Sequence, residues 1–277
     1  MPKQSIGYLG PKGTYTEAAA LQYNCEAKLV PYPSISLVAS AVDSKDVDIG
    51  IVPIENSLQG PVTETLDLLI HDSHLSIVNE IVLPIHHSLM VKPGSHIEDI
   101  QLIYSHTQAL AQCRHFIEQN MGGVQAVASL STAAAVEDML ASEVPAGAIA
   151  TERAAALYGA EIIFSGIQDN MANHTRFVVL ATHDHNITGD DKTSICFSFD
   201  EDRSGMLYHV LGQFAQRDIN LAKVESRPNK ESLGRYIFLM DLIGHKKDPI
   251  VSEALSAIAK DVSMLKVFGS YPRFHSA

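Results

Sequence analysis

The sequence has few cysteines, no excess of positive charge and no hydrophobic run long enough to cross a bilayer. Its three cysteines, Cys25, Cys113 and Cys196, lie far apart and form no CxxC pair, which favours a reducing cytosol over a disulfide framework. Lys and Arg number 20 against 32 Asp and Glu, so the net charge is -12. Such a surface repels nucleic acid and anionic lipid. Because no signal peptide is apparent either, we expect a soluble cytoplasmic protein that binds neither nucleic acid nor membrane.

Motifs for common cofactors, metals and nucleophiles are also absent from the sequence. No GxGxxG follows a strand and no GxxxxGKS/T occurs, so a nucleotide cofactor is not indicated. The 13 histidines include pairs such as His71-x-x-His74 and His86-His87, but no HExxH and no cysteine at ligand spacing. No GxSxG elbow marks a serine nucleophile. The sequence therefore predicts neither a cofactor nor a metal.

Short apolar strands alternate with helical stretches as far as residue 182, a pattern typical of an open α/β sheet. At 277 residues the chain is long enough for two or three cores of ordinary size. Thr14 and Glu17 form a capping box that opens the first helix, and Gln59-Gly60-Pro61 is expected to start another. The expected strands are 5–9, 49–53, 76–91, 102–104, 124–128, 147–151, 161–164 and 175–181.

Pro84 interrupts the apolar run over residues 76–91. A chain that leaves one sheet for another at this point makes two lobes, and the strand that begins at Thr175 would return it to the first lobe. We expect a catalytic domain over residues 1–182. Lobe 1 is expected at about 1–80 and 168–182, and lobe 2 at about 81–167.

A second domain is predicted in the C-terminal part of the chain. Residues 183–192 are polar and contain glycine, so they are expected to form a linker and a hinge. Beyond the linker, alternating apolar residues mark a strand, and helical patterns begin at Gly205 and Pro249. The resulting order β-α-β-β-α-β over residues 193–277 is that of a ferredoxin-like unit.

Five polar loops follow expected strands, and open α/β sheets bind ligands at the carboxyl ends of their strands. Three of the loops lead directly into a helix, where unpaired backbone N–H groups and the helix dipole attract anions. Any single loop is a turn or a helix cap in its simplest interpretation, but the five together predict a carboxylate-binding cleft between lobes. The loops are residues 10–14, 55–57, 105–108, 131–132 and 173–176.

Thr175 and Arg176 are the loop residues best suited to chemistry. The Arg176 guanidinium is a permanently charged fork that can bind a carboxylate through two hydrogen bonds. The Thr175 hydroxyl is a small donor for an oxygen of the same ligand. A small anionic substrate that must lose an oxygen suits both groups. The simpler alternative is an ordinary strand start with an exposed arginine.

Several of these loops carry sequence motifs that occur in a fixed order. The motifs are Gly10-Pro11-Lys12-Gly13-Thr14, Pro53-Ile54-Glu55-Asn56-Ser57, Ser105-His106-Thr107-Gln108 and Asn173-x-Thr175-Arg176-Phe177. With them the chain resembles the prephenate dehydratase family over essentially its whole length. Since the motifs begin near residue 7, the resemblance is to monofunctional members, without a fused chorismate mutase domain.

The C-terminal unit resembles the amino-acid-sensing ACT domain of the same enzymes. The matching motifs are Gly205-Met206-Leu207-Tyr208 and Glu225-Ser226-Arg227-Pro228. Two residues depart from the family pattern, Thr107 where proline is usual and Met206 where alanine is usual. Thr107 is a good helix cap, so we expect little effect there. Met206 is bulkier than the usual residue, which leaves the strength of regulation open.

The resemblance implies a two-lobed fold of the type II periplasmic-binding-protein kind, followed by the ACT domain. It also implies that prephenate loses its ring hydroxyl and CO2 to give phenylpyruvate, on the route to L-phenylalanine. The implied catalytic residues are Asn56, Ser105, Gln112, Thr175, Arg176 and, as a weaker candidate for the acid, Glu55. The implied substrate-binding residues are Gly13, Thr14, Ser57, Gln108, Ser131, Thr132, Asn173 and Phe177.

Among these residues we expect Thr175 to ease departure of the hydroxyl group. We expect Arg176 to bind the pyruvyl carboxylate. An arginine bound to the ring carboxylate would stabilise a charge that vanishes in the transition state, and so would slow the reaction. Glu55 could act as an acid only if burial kept it protonated.

The ACT resemblance implies feedback control by L-phenylalanine, bound between two copies of the chain in a homo-oligomer. The implied effector residues are Gly205, Met206, Leu207, Asn220, Leu221, Glu225, Ser226, Arg227 and Pro228. Two alternatives stay open. An arogenate dehydratase performs the same chemistry on the transaminated substrate. A non-catalytic solute-binding or amino-acid-sensing protein would share the two-lobed fold but would not need Thr175 beside Arg176.

Overall fold

The computed structural model describes residues 3–201, 203–230 and 234–275, which form three β-sheets flanked by helices. The elements before residue 182 are β1 (Ser5–Leu9), α1 (Tyr15–Tyr23), β2 (Lys28–Tyr32), α2 (Ile35–Asp43), β3 (Ile49–Asn56), β4 (Gly60–Pro61), α3 (Thr63–Asp67), β5 (Ser76–Pro84), β6 (Ser88–Val91), β7 (Leu102–Ser105), α4 (Thr107–Gln112), α5 (Arg114–Asn120), β8 (Gln125–Ala128), α6 (Thr132–Ala141), β9 (Ala146–Ala150), α7 (Glu152–Tyr158), β10 (Glu161–Ser165) and β11 (His174–Ala181). A π-helical turn, Leu68–Asp72, continues α3. The later elements are β12 (Asp191–Ser198), α8 (Met206–Ala215), β13 (Leu221–Pro228), β14 (Tyr236–Ile243), α9 (Pro249–Ile258) and β15 (Met264–Pro272).

The first sheet has the strand order β2-β1-β3-β11-β5, with β4 beside β3. Strand β1 is parallel to both β2 and β3, so helices α1 and α2 serve as the crossovers that parallel pairing requires. Gly50 in β3 lets α2 approach closely, because a Cβ atom there would lie 2.8 Å from Val38 Cγ1. The carboxyl ends of β1 and β3 consequently lie at the same edge of this sheet.

The second sheet has the order β10-β6-β9-β7-β8. Strand β7 runs parallel to β8 and β9, whereas β6 is antiparallel to β9 and β10. Helix α6 packs on the sheet through small buried residues such as Ala135 and Val136, which lie against Ala148 of β9. The carboxyl end of β7 leads directly into α4, which carries Gln112 as its last residue.

The third sheet is antiparallel, with the order β13-β14-β12-β15. Helices α8 and α9 cover it with a core that includes Phe197, Phe214 and Ile258. The predicted order β-α-β-β-α-β is therefore confirmed, and together with the α/β sheets it confirms the predicted fold class. None of the helices in the described ranges is long and apolar enough to span a membrane.

The chain divides into two compact units whose boundaries differ from those of the expected lobes. One unit consists of residues 1–62 and 82–177, and the other of residues 63–81 and 178–277. Residues 63–81 belong to the second unit because they are tied to the ferredoxin-like sheet: Lys192 Nζ lies 2.8 Å from Glu80 Oε1. Gly269 of β15 also lies against the Ile77 backbone, where a Cβ atom would be 2.1 Å from the carbonyl oxygen.

Two expectations about the region after β3 are wrong. Glu55 and Asn56 are not in a loop, because β3 continues through Asn56 and pairs with β4 in a short hairpin. Residues 59–61 do not start a helix: Gly60 has φ of 79°, and α3 begins at Thr63. A hairpin forms here and not a helix because Gly60 adopts a positive φ, which a right-handed helix does not contain.

Two further boundaries differ from the sequence-based expectation. Strand β12 begins at Asp191, inside the segment that was expected to be a linker up to residue 192. The helix expected after residue 107 is interrupted at Cys113, where φ is -116° and ψ is 19°, and α5 continues beyond it. By contrast, the break at Pro84 is confirmed, since β5 ends there and β6 begins at Ser88.

Candidate active site

Asn56, the last residue of β3, presents an amide donor to the start of β11. The backbone N–H groups of Leu58 and Gln59 both donate to Asn56 Oδ1, at 3.0 and 3.1 Å. Because the oxygen is used in this way, the Asn56 Nδ2 group points the other way. It donates to Thr175 Oγ1 at 2.9 Å and to Asn173 Oδ1 at 2.8 Å.

The hydrogen bond from Asn56 determines what the Thr175 hydroxyl can do. The contact uses a lone pair of the Thr175 oxygen, so the hydroxyl hydrogen can be donated to a different acceptor. Thr175 as a whole is half-buried. Thr175 is consequently an oriented hydrogen-bond donor, as its predicted role requires.

Gln112, the last residue of α4, joins this network. Asn173 Nδ2 donates to Gln112 Oε1 at 2.8 Å, and Asn173 itself is buried. The other polar atom of the Gln112 side chain, Nε2, is buried and has no hydrogen-bond partner among the described residues. The structure thus brings together four of the predicted site residues: Asn56, Gln112, Asn173 and Thr175.

Arg176 forms an ion pair with Glu55 instead of standing beside the Thr175 hydroxyl. Arg176 Nη2 lies 3.1 Å from Glu55 Oε2, and both side chains are largely shielded from solvent. Successive residues of a strand project to opposite faces of a sheet. Asn56 with Thr175 therefore faces one side, and Glu55 with Arg176 faces the other. The interpretation of Arg176 as an ordinary exposed strand residue is wrong, because its side chain is only 12% exposed.

Several predicted site hydroxyls have local structural roles. Thr14 and Ser131 are the N-caps of α1 and α6, and each accepts a hydrogen bond from the N–H three residues later. Ser105 is fully buried, and its Oγ donates to the Ile149 carbonyl at 2.6 Å. Phe177 lies in the core, with 1% of its surface exposed.

The remaining predicted binding residues lie near strand ends. Ser57 Oγ accepts from the His174 N–H at 2.9 Å, which ties the β3 and β11 ends together. Gln108 lies on α4, one turn before Gln112, and Thr132 is the first residue of α6. Among the described residues, no hydrogen bond joins the network of Asn56, Asn173, Thr175 and Gln112 to Gly13, Thr14, Ser131 or Thr132.

The first loop of the chain is held by Glu17, which the sequence indicated only as part of a capping box. Its carboxylate accepts from the Gly13 N–H at 2.7 Å and from Arg153 Nε at 2.7 Å. Thr151 Oγ1 donates to the Gly13 carbonyl at 2.7 Å. Burial raises the pKa of Glu17, but the Arg153 guanidinium and the Gly13 N–H outweigh it, and the net pKa is lowered.

His87 is a second residue of the site that the sequence did not identify. It is buried, and its ring nitrogen Nε2 lies 3.0 Å from Gln112 Oε1. Burial is the largest cause of a lowered His87 pKa. In the sequence, the pair His86-His87 suggested only a possible metal ligand. In the described part of the chain, no group of three or more His, Cys, Asp or Glu could hold a metal ion.

A cavity of about 240 Å³ in the second unit contains part of the predicted effector site. Gly205, Met206 and Leu207 line it, together with the charged residues Arg203 and Arg235. The other predicted effector residues are not among its lining residues. Within one chain the predicted effector residues therefore form two groups, one that lines the cavity and one on β13 and at the residue before it.

Arg227, from the second of these groups, is turned toward the segment that follows the β3–β4 hairpin. It forms an ion pair with Asp67, the last residue of α3, and Lys230 binds the same carboxylate. The Arg227 side chain is 11% exposed, so the pair is well shielded. The effector motif is thus linked by charge to the helix that continues from the Asn56 loop.

The α/β sheets with a hydrogen-bonded hydroxyl at their strand ends, followed by a ferredoxin-like module, define a small-molecule enzyme with an attached regulatory domain. The family model for prephenate dehydratase matches residues 6–185, and the ACT domain model matches residues 201–260. The chain belongs to the prephenate dehydratase family.

Individual relatives match almost the whole chain. A bifunctional chorismate mutase/prephenate dehydratase of Aquifex aeolicus is 43% identical over 98% of this chain and 74% of its own length. A prephenate dehydratase of Methanocaldococcus jannaschii is 37% identical over 98% of this chain and 99% of its own length. The crystal structure of an Arthrobacter aurescens prephenate dehydratase in complex with L-Phe has a TM-score of 0.90 and 34% identity, and covers 97% of this chain and 90% of that one.

Proposed function

We propose that this chain converts prephenate to phenylpyruvate and that the Thr175 hydroxyl stabilises the departing oxygen. The observation that carries the assignment is the hydrogen bond from Asn56 Nδ2 to Thr175 Oγ1. This contact orients the hydroxyl and leaves its hydrogen for a ligand. The backbone donors that fix Asn56 make the arrangement rigid, and preorganised donors are effective because they need no rearrangement during the reaction.

The chemistry demands little more than help for a poor leaving group. As the bond from the ring to its carboxylate breaks, CO2 leaves and its electron pair enters the ring. The bond from the ring to the hydroxyl oxygen then breaks, and the ring becomes aromatic. The Thr175 hydroxyl donates a hydrogen bond to the departing hydroxide, which takes its proton from solvent and becomes water. A positioned donor contributes about 10²–10⁴-fold to such a step, and Thr175 is the donor we assign.

Glu55 and Arg176 have a different role in this proposal from the one that the sequence suggested. Their ion pair joins the end of β3 to β11, and we assign it to holding Asn56 and Thr175 in register. We therefore do not assign Glu55 as the acid. Binding of the pyruvyl carboxylate by Arg176 stays a prediction, and it would require the guanidinium to share its charge between the ligand and Glu55.

The test of the proposal compares Thr175→Val with Thr175→Ser. Valine keeps the shape but removes the hydroxyl, so we expect kcat to fall about 10²–10⁴-fold while KM changes little. Serine keeps the hydroxyl and should retain much of the activity. The measurement is the absorbance of phenylpyruvate after addition of prephenate to purified protein. The exposed Thr182, just beyond β11, provides a matched control as Thr182→Val. Near-normal turnover of Thr175→Val would refute the assignment.

Feedback inhibition by L-phenylalanine is the regulation that the ACT domain supports. We propose that the effector binds at the cavity beside Gly205–Leu207, with Glu225 and its neighbours supplied by a second copy of the chain. A site shared by two copies of the chain implies a homo-oligomer. Light scattering with and without phenylalanine tests the proposal, since a monomer under both conditions would contradict it.

The arogenate and solute-binding alternatives lose support from the family match. We propose prephenate as the main substrate and the cytoplasm as the compartment, as befits a biosynthetic enzyme. Comparing kcat/KM for prephenate and arogenate on the same preparation decides between the two substrates. A higher value for arogenate would overturn the substrate assignment but not the assignment of Thr175.

A further inference from the structure

His87 lies at a fixed position between the two strands that it connects. It follows β5 and precedes β6, and its backbone is held on both sides. The His87 N–H donates to Gln168 Oε1 at 2.9 Å, and the His87 carbonyl accepts from the Ile167 N–H at 3.0 Å. The segment with Ile167 and Gln168 therefore fixes the backbone of His87, and with it the position of the ring.

The direction of each hydrogen bond in the network can be assigned from backbone groups, which cannot flip. The N–H groups of Leu58 and Gln59 identify the oxygen of the Asn56 amide. Asn56 Nδ2 must then donate to the oxygen of the Asn173 amide. Asn173 Nδ2 in turn must donate to Gln112, so the Gln112 atom at 2.8 Å from it is the oxygen Oε1.

The same oxygen decides which ring nitrogen of His87 carries the hydrogen. Gln112 Oε1 can only accept, and it lies 3.0 Å from His87 Nε2. If the Gln112 amide were flipped, its NH2 group would face the NH2 group of Asn173. The hydrogen must therefore reside on His87 Nε2.

On the other side of the ring, Nδ1 faces Tyr15. Burial lowers the pKa of His87, so the ring is neutral and Nδ1 carries no hydrogen. The Tyr15 hydroxyl lies 3.4 Å from Nδ1, but its single hydrogen is donated to the His86 carbonyl. The Tyr15 ring stands edge-on to the imidazole, with 5.9 Å between ring centroids.

We propose that His87 is a positioning residue that holds the Gln112 amide in one orientation and presents Gln112 Nε2 to the substrate. Gln112 Oε1 accepts hydrogen bonds from Asn173 and His87, so the NH2 group is the part of this amide that can bind a ligand. Among the described residues that group is buried without a partner, an arrangement that is costly unless a ligand completes it. The role of Gln112 toward substrate rests on the proposed function, whereas the hydrogen on His87 Nε2 does not.

Substitutions at His87 test the role in turnover. His87→Gln places an amide nitrogen near the position of Nε2, whereas His87→Leu removes the donor at similar volume. We expect kcat/KM to fall about 10–100-fold in His87→Leu and to stay within about threefold of the parent in His87→Gln. His86→Asn is the matched control, because its amide oxygen can replace the His86 ring nitrogen that faces Gln168. Equal activity of the leucine variant and the parent would overturn the proposal, as would an equal loss in both His87 variants.

The ring nitrogens can be observed directly in the parent protein, without any substitution or substrate. In ¹⁵N-labelled protein near neutral pH, the His87 ring should give the spectrum of a neutral imidazole with its hydrogen on Nε2. A hydrogen on Nδ1 would overturn the assignment even if the protein is active on prephenate. Conversely, an inactive parent with the Nε2 hydrogen would refute the proposed function and leave the assignment of the His87 tautomer standing.

Discussion

Thr175 and Arg176 are neighbours in sequence, but the strand gives their side chains different surroundings. Thr175 accepts from Asn56 on one face of β11, and Arg176 pairs with Glu55 on the other. A ligand held by both groups would have to pass round the end of the strand. The hydroxyl and the guanidinium are therefore expected to have separable effects on catalysis and on stability.

Glu55→Gln and Arg176→Gln test the structural role of the ion pair. Each single change leaves one shielded charge without its partner, so we expect a loss of about 1–3 kcal/mol in the free energy of unfolding. The double variant leaves no unpaired charge and should recover part of the loss. Denaturant titration measures these changes. A KM raised more than about 100-fold by Arg176→Gln alone, which corresponds to about 2.7 kcal/mol of binding energy, would instead favour binding of the substrate carboxylate.

The polar loops at strand ends predict Asn56, Asn173 and Thr175, and the family resemblance adds Gln112. The separation of the Arg176 side chain from that of Thr175 could also be predicted, since consecutive side chains of a strand project to opposite faces. The contacts of His87 and Glu17 could not be predicted from the sequence. Their partners Gln112 and Arg153 lie 25 and 136 residues away, and only the fold brings them together.

At the scale of elements, the Glu17 carboxylate of helix α1 joins the Gly13 loop to the start of α7. Glu17 is almost fully buried and bridges the Gly13 N–H and Arg153. The Glu17 pKa in the folded protein is below its usual range. The unfolded chain therefore takes up a proton at this site before the folded protein does as the pH falls.

Glu17→Gln should change the acid stability of the protein in a defined direction. A lowered folded pKa contributes stability that is present above the unfolded pKa, about 4.3, and is lost as the pH falls through the folded pKa. We expect the variant to lose about 1–3 kcal/mol at neutral pH and less at low pH. The measurement is the free energy of unfolding between about pH 7 and pH 3. Parallel curves for parent and variant would contradict the prediction.

Strand β12 is anchored by an ion pair with a buried partner. Lys192 Nζ lies 2.8 and 2.9 Å from the two oxygens of Glu80, whose side chain is fully buried. The Phe274 N–H donates to the same carboxylate at 2.9 Å. The polar composition of residues 183–192 predicted a linker. The ion pair could not be predicted, because nothing in the sequence relates Lys192 to Glu80, 112 residues earlier.

Lys192→Met should be strongly destabilising for this reason. Removing one partner of a buried pair typically costs about 3–5 kcal/mol, because the other charge is left without compensation. The double variant Glu80→Gln with Lys192→Met should be more stable than Lys192→Met alone. Thermal and denaturant unfolding provide the measurement. A loss below about 1 kcal/mol, the level of an exposed pair, would show that water or another cation replaces the lysine.

At the scale of the whole molecule, the chain itself connects the proposed catalytic network to the regulatory module. The β3–β4 hairpin that contains Asn56 belongs to the first compact unit. Helix α3 begins two residues after β4 and belongs to the second unit. Asp67 at the end of α3 binds Arg227 of the predicted effector motif. A change at Arg227 on effector binding would therefore act on the helix that continues from the site.

Asp67→Asn tests whether this charge contact couples the effector to the site. Without the carboxylate, Arg227 and Lys230 lose their common partner, so we expect phenylalanine to bind but to inhibit less at saturation, with uninhibited turnover unchanged. Coupling between two ligands is reciprocal, and phenylpyruvate should therefore change the affinity for phenylalanine less in the variant than in the parent. Calorimetric titration of phenylalanine with and without phenylpyruvate measures the affinities, and turnover at saturating phenylalanine measures the inhibition. Asp72→Asn, in the following turn, is the matched control. If maximal inhibition and the effect of phenylpyruvate are the same in Asp67→Asn and the parent, the coupling must run through other contacts of the second unit.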